Sequence, residues 1–324
     1  MARELLLMRH GKSDWNLPLE DYQRPLKERG RCGAEQLGAW LLQQRRLPDY
    51  VVSSPAVRAF NTAKLALAAM GLDICDIVRE KRIYEARVGD LLQVLGEIPV
   101  EARRVLMVGH NPGFEELVEY LSRDPVPLPK DGNLLPTASL AHLEMPEDWS
   151  PLAAGQGRLV SITRSGTLPK RFPFPDPQGK EYRERPAYYY DQVAVVPYRL
   201  VEGRPEILLV MSRKLKHWVV PKGIVEPFTT PRESAIREAL EEAGVEGEIG
   251  GESLGCYRYL KWGGECRVEV FPMAVSREVS GETWRESRRG REWMPPKQAG
   301  KRLKQPELKS MIEQLAERLK DSLP

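Results

Sequence analysis

With 324 residues, 41% of them apolar and 29% charged, the chain exceeds what one compact core usually holds, so two domains are expected. No run approaches the ~20 apolar residues of a membrane span, and the four-residue stretch at 5–8 is too short for a signal peptide. Cys32, Cys75, Cys256 and Cys266 form neither a CxxC pair nor zinc spacing, which points to reduced thiols and a cytoplasmic protein. The net charge of +3 is unevenly distributed. The first 163 residues are slightly acidic, and the basic excess gathers after Arg277 in Arg285, Arg288, Arg289, Arg291, Lys297, Lys301, Arg302 and Lys304. Such a patch suits a polyanionic ligand. No helix-turn-helix, zinc finger or other nucleic-acid module stands out, so a small, highly phosphorylated molecule is favoured.

In chain order, the apolar run at 5–8 reads as a buried strand that delivers Arg9-His10-Gly11 at its carboxyl end, where open α/β sheets place their ligands. A second strand at 50–53 runs into a turn and a helix carrying Arg58, Thr62 and Ala63. A third at 105–108 leads to Gly109-His110-Asn111-Pro112-Gly113. Three strand ends thus present two histidines and two arginines. A neutral imidazole, with a reference pKa of about 6.5, is a nucleophile toward phosphorus. Guanidinium groups pair with phosphoryl oxygens and stabilise the charge that spreads over them. His142 sits in strand-like alternation and reads as structural.

RHGKSDWN at 9–16, SSPAVRAFNTA at 53–63 and GHNPG at 109–113, in that order, resemble the histidine phosphatase (phosphoglycerate mutase-like) superfamily. Together with the intervening residues 21–41, they are most similar to its small SixA-type phosphohistidine phosphatase branch. The resemblance implies a three-layer α/β/α domain that needs no metal. It implies His10 as the phosphorylated nucleophile, with Arg9, Arg58 and His110 lining the phosphate pocket and Ser13 and Asn16 as further contacts. Glu85 lies where several branches place a carboxylic acid, and a solvated loop glutamate is the competing reading.

Residues 164–187 are proline-rich without apolar period and read as an extended spacer, giving domains at 1–163 and 188–324. Strands follow at 192–198 and 206–211, with a turn at 202–205. Thr230, Pro231 and Glu233 then form an N-cap, a proline at the first helical position and a capping-box glutamate. Ala235, Ile236, Ala239, Leu240 and Ala243 form an apolar stripe, and Gly244 stands where a left-handed cap belongs. On that helix Glu238, Glu241 and Glu242 project together, at i, i+3 and i+4. Three close carboxylates repel one another, and a hard divalent cation, Mg2+ or Mn2+, meets the demand for positive charge. Arg237 is placed to orient them by hydrogen bonding. The competing reading is a solvated acidic face. A hairpin across Gly263-Gly264 follows, with Glu265 and Glu269 either candidate bases or plain strand glutamates. An amphipathic helix at 308–319 closes the pattern.

The stretch 223–245, GIVEPFTTPRESAIREALEEAGV, resembles the Nudix box. Gly223, Arg237, Glu238, Glu241, Glu242, Gly244 and Val245 match in register, while Thr229 stands where a glutamate is expected and Phe228 where glycine is usual. The resemblance implies an α/β/α sandwich with a mixed sheet, Mg2+ held by Glu238, Glu241 and Glu242, and water attack on a pyrophosphate linkage. The WVVPKG segment and the basic run before Trp293 look most like the diphosphoinositol or diadenosine polyphosphate hydrolase branch. Lys222, Arg288 and Arg289 would then hold the remaining phosphates, and His217 lies close to the same turn. The expected whole is a bifunctional phosphohydrolase acting on small phosphorylated substrates or a phosphohistidine protein. The alternatives are a hydrolase of oxidised nucleoside triphosphates, ADP-ribose-like compounds or capped RNA, or a phosphate-binding regulatory module with one inactive half.

Overall fold

The computed structural model describes residues 3–72, 77–175, 181–279, 284 and 286–321, so Cys75 and Arg285 lie outside the described residues. The chain divides into two units, Met1–Pro186 and Ala187–Pro324.

Strand β1 (Arg3–Arg9) organises the first unit because it is apolar on both faces. Leu5 and Leu7 face a core with Leu91 and Phe114, while Leu6 and Met8 face another with Leu37, Ala59 and Leu67, and all of these are fully buried. Each leucine, methionine or phenylalanine among them contributes about 1.5–3 kcal/mol relative to exposure. The first core is capped by α3 (Val88–Gly96) and α4 (Gly113–Leu121), the second by α1 (Glu28–Gln43) and α2 (Val57–Met70). Between them lies a sheet of order β3-β2-β4-β1-β5-β6, with β2 at Tyr50–Ser53, β3 at Val78–Arg79, β4 at Arg104–Gly109, β5 at Ser139–Met145 and β6 at Arg158–Arg164. The pairs β3-β2, β2-β4 and β4-β1 are parallel, and β5 and β6 complete the sheet antiparallel. Because β4 lies between β1 and β2, the residue that follows it emerges between those that follow the other two.

The stretch expected to be a spacer lies within this unit where it is described. Arg164 ends β6, and Phe172 is buried in β7 (Phe172–Pro173), which pairs with β8 (Tyr182–Arg183). Leu168 packs on the α1–α2 core, and Arg185 reaches Glu28 of α1 at 3.2 Å. Two apolar anchors among the prolines hold the chain against the domain.

In the second unit β9 (Asp191–Val201) runs parallel to β15 (Gly264–Glu278) and antiparallel to β10 (Arg204–Met211) and β12 (Lys222–Ile224). The mixed sheet is extended by β11 (Trp218–Val219), β13 (Val245–Ile249), β14 (Gly255–Lys261) and β16 (Arg291–Met294). Trp262 and Gly263, both at positive φ, make the tight turn between β14 and β15. Val193, Val195 and Phe271 face α5 (Pro231–Glu238), while Ala194, Val196 and Val268 face the opposite layer, where α6 (Pro296–Arg302) and α7 (Pro306–Asp321) supply Ala299, Leu308, Ile312 and Leu315.

The capping box on Thr230 and the left-handed Gly244 are present, with φ +61° at Gly244. The helix between them differs from expectation. It is α-helical only to Glu238, and Ala239–Ala243 forms a π turn. Ala235, Ala239 and Ala243 are buried, but Ile236 and Leu240 are 43% and 38% exposed. Three alanines spaced by four suffice to seat the helix close on the sheet, which leaves the larger pair outside. Among the described residues no helix is long and apolar enough to cross a membrane.

Candidate active sites

The first site forms where β1, β2 and β4 end. His10 N–H continues the ladder to Gly109 O at 3.1 Å, and Ser54 N–H reaches Val108 O at 2.9 Å. The turn after His10 requires glycine, because a Cβ on Gly11 would stand 2.4 Å from Gly30 O of α1. The Gly11 N–H is tied to Thr62 of α2 at 2.9 Å. His10 Nδ1 lies 2.7 Å from Gly11 O, which only accepts, so Nδ1 carries the proton. Nε2 therefore presents its lone pair, and Arg58 Nε donates to it at 3.3 Å. Burial first, then the Arg58 and Arg9 charges, lower the His10 pKa to about 4. His110 stands with its ring centre 5.0 Å away, and Nε2 meets Ser54 Oγ at 2.9 Å. Burial and the neighbouring cations lower its pKa to about 3.

Arg58 is aimed by Asp21, whose carboxylate pairs with the guanidinium at 2.7 Å and whose backbone carbonyl accepts from it at 2.5 Å. Tyr84 donates its hydroxyl to the same carboxylate at 2.8 Å. Arg9 and Asn111 both donate to Leu135 O, at 2.7 and 3.0 Å. Among the described residues Arg9 Nε, Asn111 Oδ1 and His110 Nδ1 are buried without a protein partner. An unmade bond of this kind costs about 1–3 kcal/mol, so three of them together favour a polar ligand. A cavity of about 780 Å3 opens over His10, Arg58, His110 and Asn111, with Glu85 and Glu116 also at its wall. Glu85 holds φ +52°, a strained backbone for glutamate that projects it at that wall.

The second site lies at the end of α5. Glu238 packs on Gly223 of β12 so closely that a Cβ there would be 1.8 Å from Glu238 Oε1. Burial, then the charges of Glu242, Glu241 and Glu226, raise the Glu238 pKa to about 8. Glu242 is 7% exposed, accepts from Lys222 N–H at 2.9 Å and pairs with buried Arg289 at 2.8 Å. Glu241 is exposed. Among the described residues no three His, Cys, Asp or Glu side chains converge as a metal cage. Glu242 is paired with Arg289, and Glu241 is turned to the surface. The donors nevertheless fit a hard cation: they are all carboxylate oxygens, and burial together with the neighbouring negative charges makes the ionised Glu238 one that positive charge would stabilise.

The histidine phosphatase superfamily (branch 1) profile matches residues 5–98, and the NUDIX domain profile matches residues 190–315. An uncharacterized protein of Mycobacterium tuberculosis is 30% identical over 159 residues, 48% of this chain and 98% of its own. Nudix hydrolase 21 of Arabidopsis thaliana is 32% identical over 171 residues, 50% of this chain and 79% of its own. The chain joins a histidine phosphatase to a Nudix hydrolase. A protein assigned as the phosphohistidine phosphatase SixA of Agrobacterium tumefaciens is 27% identical, over 50% of this chain and 98% of that one, with a TM-score of 0.41.

In the phosphatase unit the cavity gathers His10, Arg58, His110 and Glu85, and Arg9 lies beside Asn111 through Leu135. Ser13 and Asn16 are not among the residues that border it. Ser13 is buried in a bridge with Leu26, and Asn16 is exposed with its N–H on Asp14. Asp21, Ser54, Tyr84 and Asn111 were missed by sequence reasoning. Asn111 stands inside the quoted GHNPG motif, but nothing local marks Asp21. His142 is buried with Nε2 3.2 Å from Glu4, away from the cavity.

In the Nudix unit Glu238 and Glu242 meet at β12, with Glu241 outside. Lys222 alternates with Gly223 and therefore points to the other face of the sheet, where its ammonium meets Gln192 at 2.9 Å and the Tyr259 hydroxyl at 2.5 Å. Burial lowers the Lys222 pKa to about 8. Arg289 is held by Glu242 and Glu286, whereas Arg288 is exposed. Arg237, expected to orient the glutamates, is exposed too. Glu265 pairs with Arg258 at 3.2 Å. Glu269 pairs in register with Val193, which pairs with Gly223, so it lies on the face that carries α5. Thr229 donates to Glu226 O at 2.7 Å and meets Ser234 Oγ at 2.6 Å, building the turn in which Phe228 takes φ +63°. His217 is partly buried just before β11.

Proposed function

We propose that the chain is a bifunctional phosphohydrolase with two chemically separate sites. In the phosphatase unit, His10 Nε2 attacks phosphorus and the bond to the leaving group breaks with its electron pair. Arg58, held by Asp21, and Arg9 and His110 bind the phosphoryl oxygens. Glu85 supplies the proton to the leaving oxygen or nitrogen. Water then attacks the phosphohistidine, releasing phosphate and restoring the imidazole. Small phosphate esters and phosphohistidine in a protein both suit this chemistry. The observation that carries the reading is the Nε2 lone pair, fixed by the Nδ1–H bond to Gly11 O and faced by Arg58 within the cavity.

In the Nudix unit, Glu238, Glu241 and Glu242 would hold Mg2+ or Mn2+, which when bound neutralises a pyrophosphate linkage and activates water. Glu269, on the same face, is the better placed candidate base, since Glu265 is exposed and paired with Arg258. Exposed Arg288 remains available to a distal phosphate. The substrate class is a highly phosphorylated small molecule, such as a dinucleoside polyphosphate or a diphosphoinositol compound.

The test is a panel of phosphoanhydrides and phosphohistidine peptides assayed with and without EDTA. His10→Ala should abolish cation-independent phosphate release only, and Glu238→Gln cation-dependent anhydride cleavage only. A single variant that abolishes both, or wild-type rates no better than either variant, would refute two independent sites.

A further inference from the structure

We propose that Arg289 is a built-in counter-ion for Glu242, and that a divalent cation enters the acidic helix end only as Arg289 withdraws. The inference rests on the reading of Glu238, Glu241 and Glu242 as cation ligands. Arg289 is 5% exposed, and its guanidinium reaches Glu242 Oε1 at 2.8 Å, Glu286 Oε2 at 2.5 Å and Met211 O at 2.6 Å. Glu242 Oε2 accepts from the Lys222 N–H at 2.9 Å. Both oxygens of one ligand are therefore engaged, and its charge is neutralised by a buried guanidinium. Among the described residues no lysine or arginine forms an ion pair with Glu238, on which the exposed Arg213 acts only from a distance, so the direct buried pair is made with Glu242.

The arrangement also contains an exit. Glu286 stands just before the turn Ser287–Arg289, three residues ahead of Arg289, and its side chain is 26% exposed. When Glu242 is taken by a cation, Arg289 keeps Glu286 as partner, and no buried charge is stranded. Without that second carboxylate the exchange would leave a desolvated guanidinium, and the pair with Glu242 would be hard to break. Arg213 also approaches Glu242, at 3.9 Å, but is 75% exposed and screened.

The experiment is Mn2+ titration of the full chain, followed by the electron paramagnetic resonance of free Mn2+, with thermal melting to verify folding. Arg289→Gln should tighten Mn2+ binding by roughly tenfold or more, since a buried charge a few ångströms from a dication opposes it strongly. Arg289→Lys, which keeps the charge, should stay near wild type, and Arg213→Gln should change binding by less than about threefold because its charge is solvated. Equal or weaker binding in folded Arg289→Gln overturns the proposal, because a purely structural arginine would be needed to hold Glu242 in place. If that variant does not fold, Glu286→Gln decides. Removing the fallback partner should tie Arg289 to Glu242 and weaken Mn2+ binding, whereas unchanged or tighter binding overturns the proposal. No Mn2+ binding by wild type or any variant removes the cation reading itself, and this inference with it.

Discussion

Gly223→Ala separates what holds the Nudix unit together from what makes it work. Gly223 does not adopt a positive φ, so its backbone accepts alanine, and in a strand the exchange is worth roughly 0.5–1 kcal/mol in alanine's favour. The new Cβ would stand 1.8 Å from Glu238 Oε1, 2.2 Å from Cδ and 2.7 Å from Oε2, where real Cβ atoms keep at least 3.0 Å. The carboxylate must therefore retreat by about 1.2 Å, the difference between those first and last distances. The clash falls on the far end of a flexible side chain and not on backbone, so the fold absorbs it. The chemistry does not, because misplacing a reacting or ligating group by ~1 Å costs about a hundredfold. Cation-dependent cleavage, measured on the anhydride that wild type turns over fastest, should fall about a hundredfold while the melting temperature moves by no more than ~3 °C. Turnover within threefold of wild type would refute the reasoning, since the seat of Glu238 on Gly223 would then not be its working position.

Asp21→Asn should lower phosphatase kcat roughly tenfold or more with little change in melting, because Arg58 loses the carboxylate that aims it at His10; Asp21→Glu should restore part of the rate. The histidine values of about 4 and about 3 imply an acid-sensitive first unit. The unfolded chain, with imidazoles near 6.5, binds more protons between about pH 4 and 6.5, so stability is complete above 6.5 and declines as pH falls toward 4. His110→Asn should flatten that decline in urea unfolding measured across the range, and an unchanged slope would contradict it. Arg291 donates to Ala243 O and Gly244 O at 2.7 Å each, satisfying the carbonyls that end the π turn. Arg291→Ala should cost about 1.5–3 kcal/mol in chemical denaturation of the second unit, as expected for bonds from a charged donor.

Much of the phosphatase site was legible because each piece is local. An apolar run followed by Arg-His-Gly, or by Gly-His-Asn-Pro-Gly, marks a strand end, and parallel pairing of β1, β4 and β2 does the rest. Asp21 was not legible, since its meaning comes from a turn that lies across Arg58 only after folding. In the Nudix unit the capping box and Gly244 stand in the sequence as they do in the fold. The π turn does not, because ALEEA has ordinary helical composition and carries no local signal for a widened turn. Lys222 carried a signal that was available: strand alternation places it opposite Gly223, so a Gly223 that faces Glu238 sends Lys222 to the other side. Arg289 and Arg288 are adjacent and chemically alike, and only burial against Met211 and Glu286 distinguishes the internal ion pair from the exposed cation.

The most direct measurement is the mass-spectrometric search for a covalent phosphoenzyme after rapid quenching of the full chain with a phosphohistidine peptide in the presence of EDTA. The account predicts one phosphoryl group, acid-labile and base-stable, on His10, and none in His10→Ala. Phosphate release that proceeds without a label on His10, or that stops when EDTA is added, would contradict it.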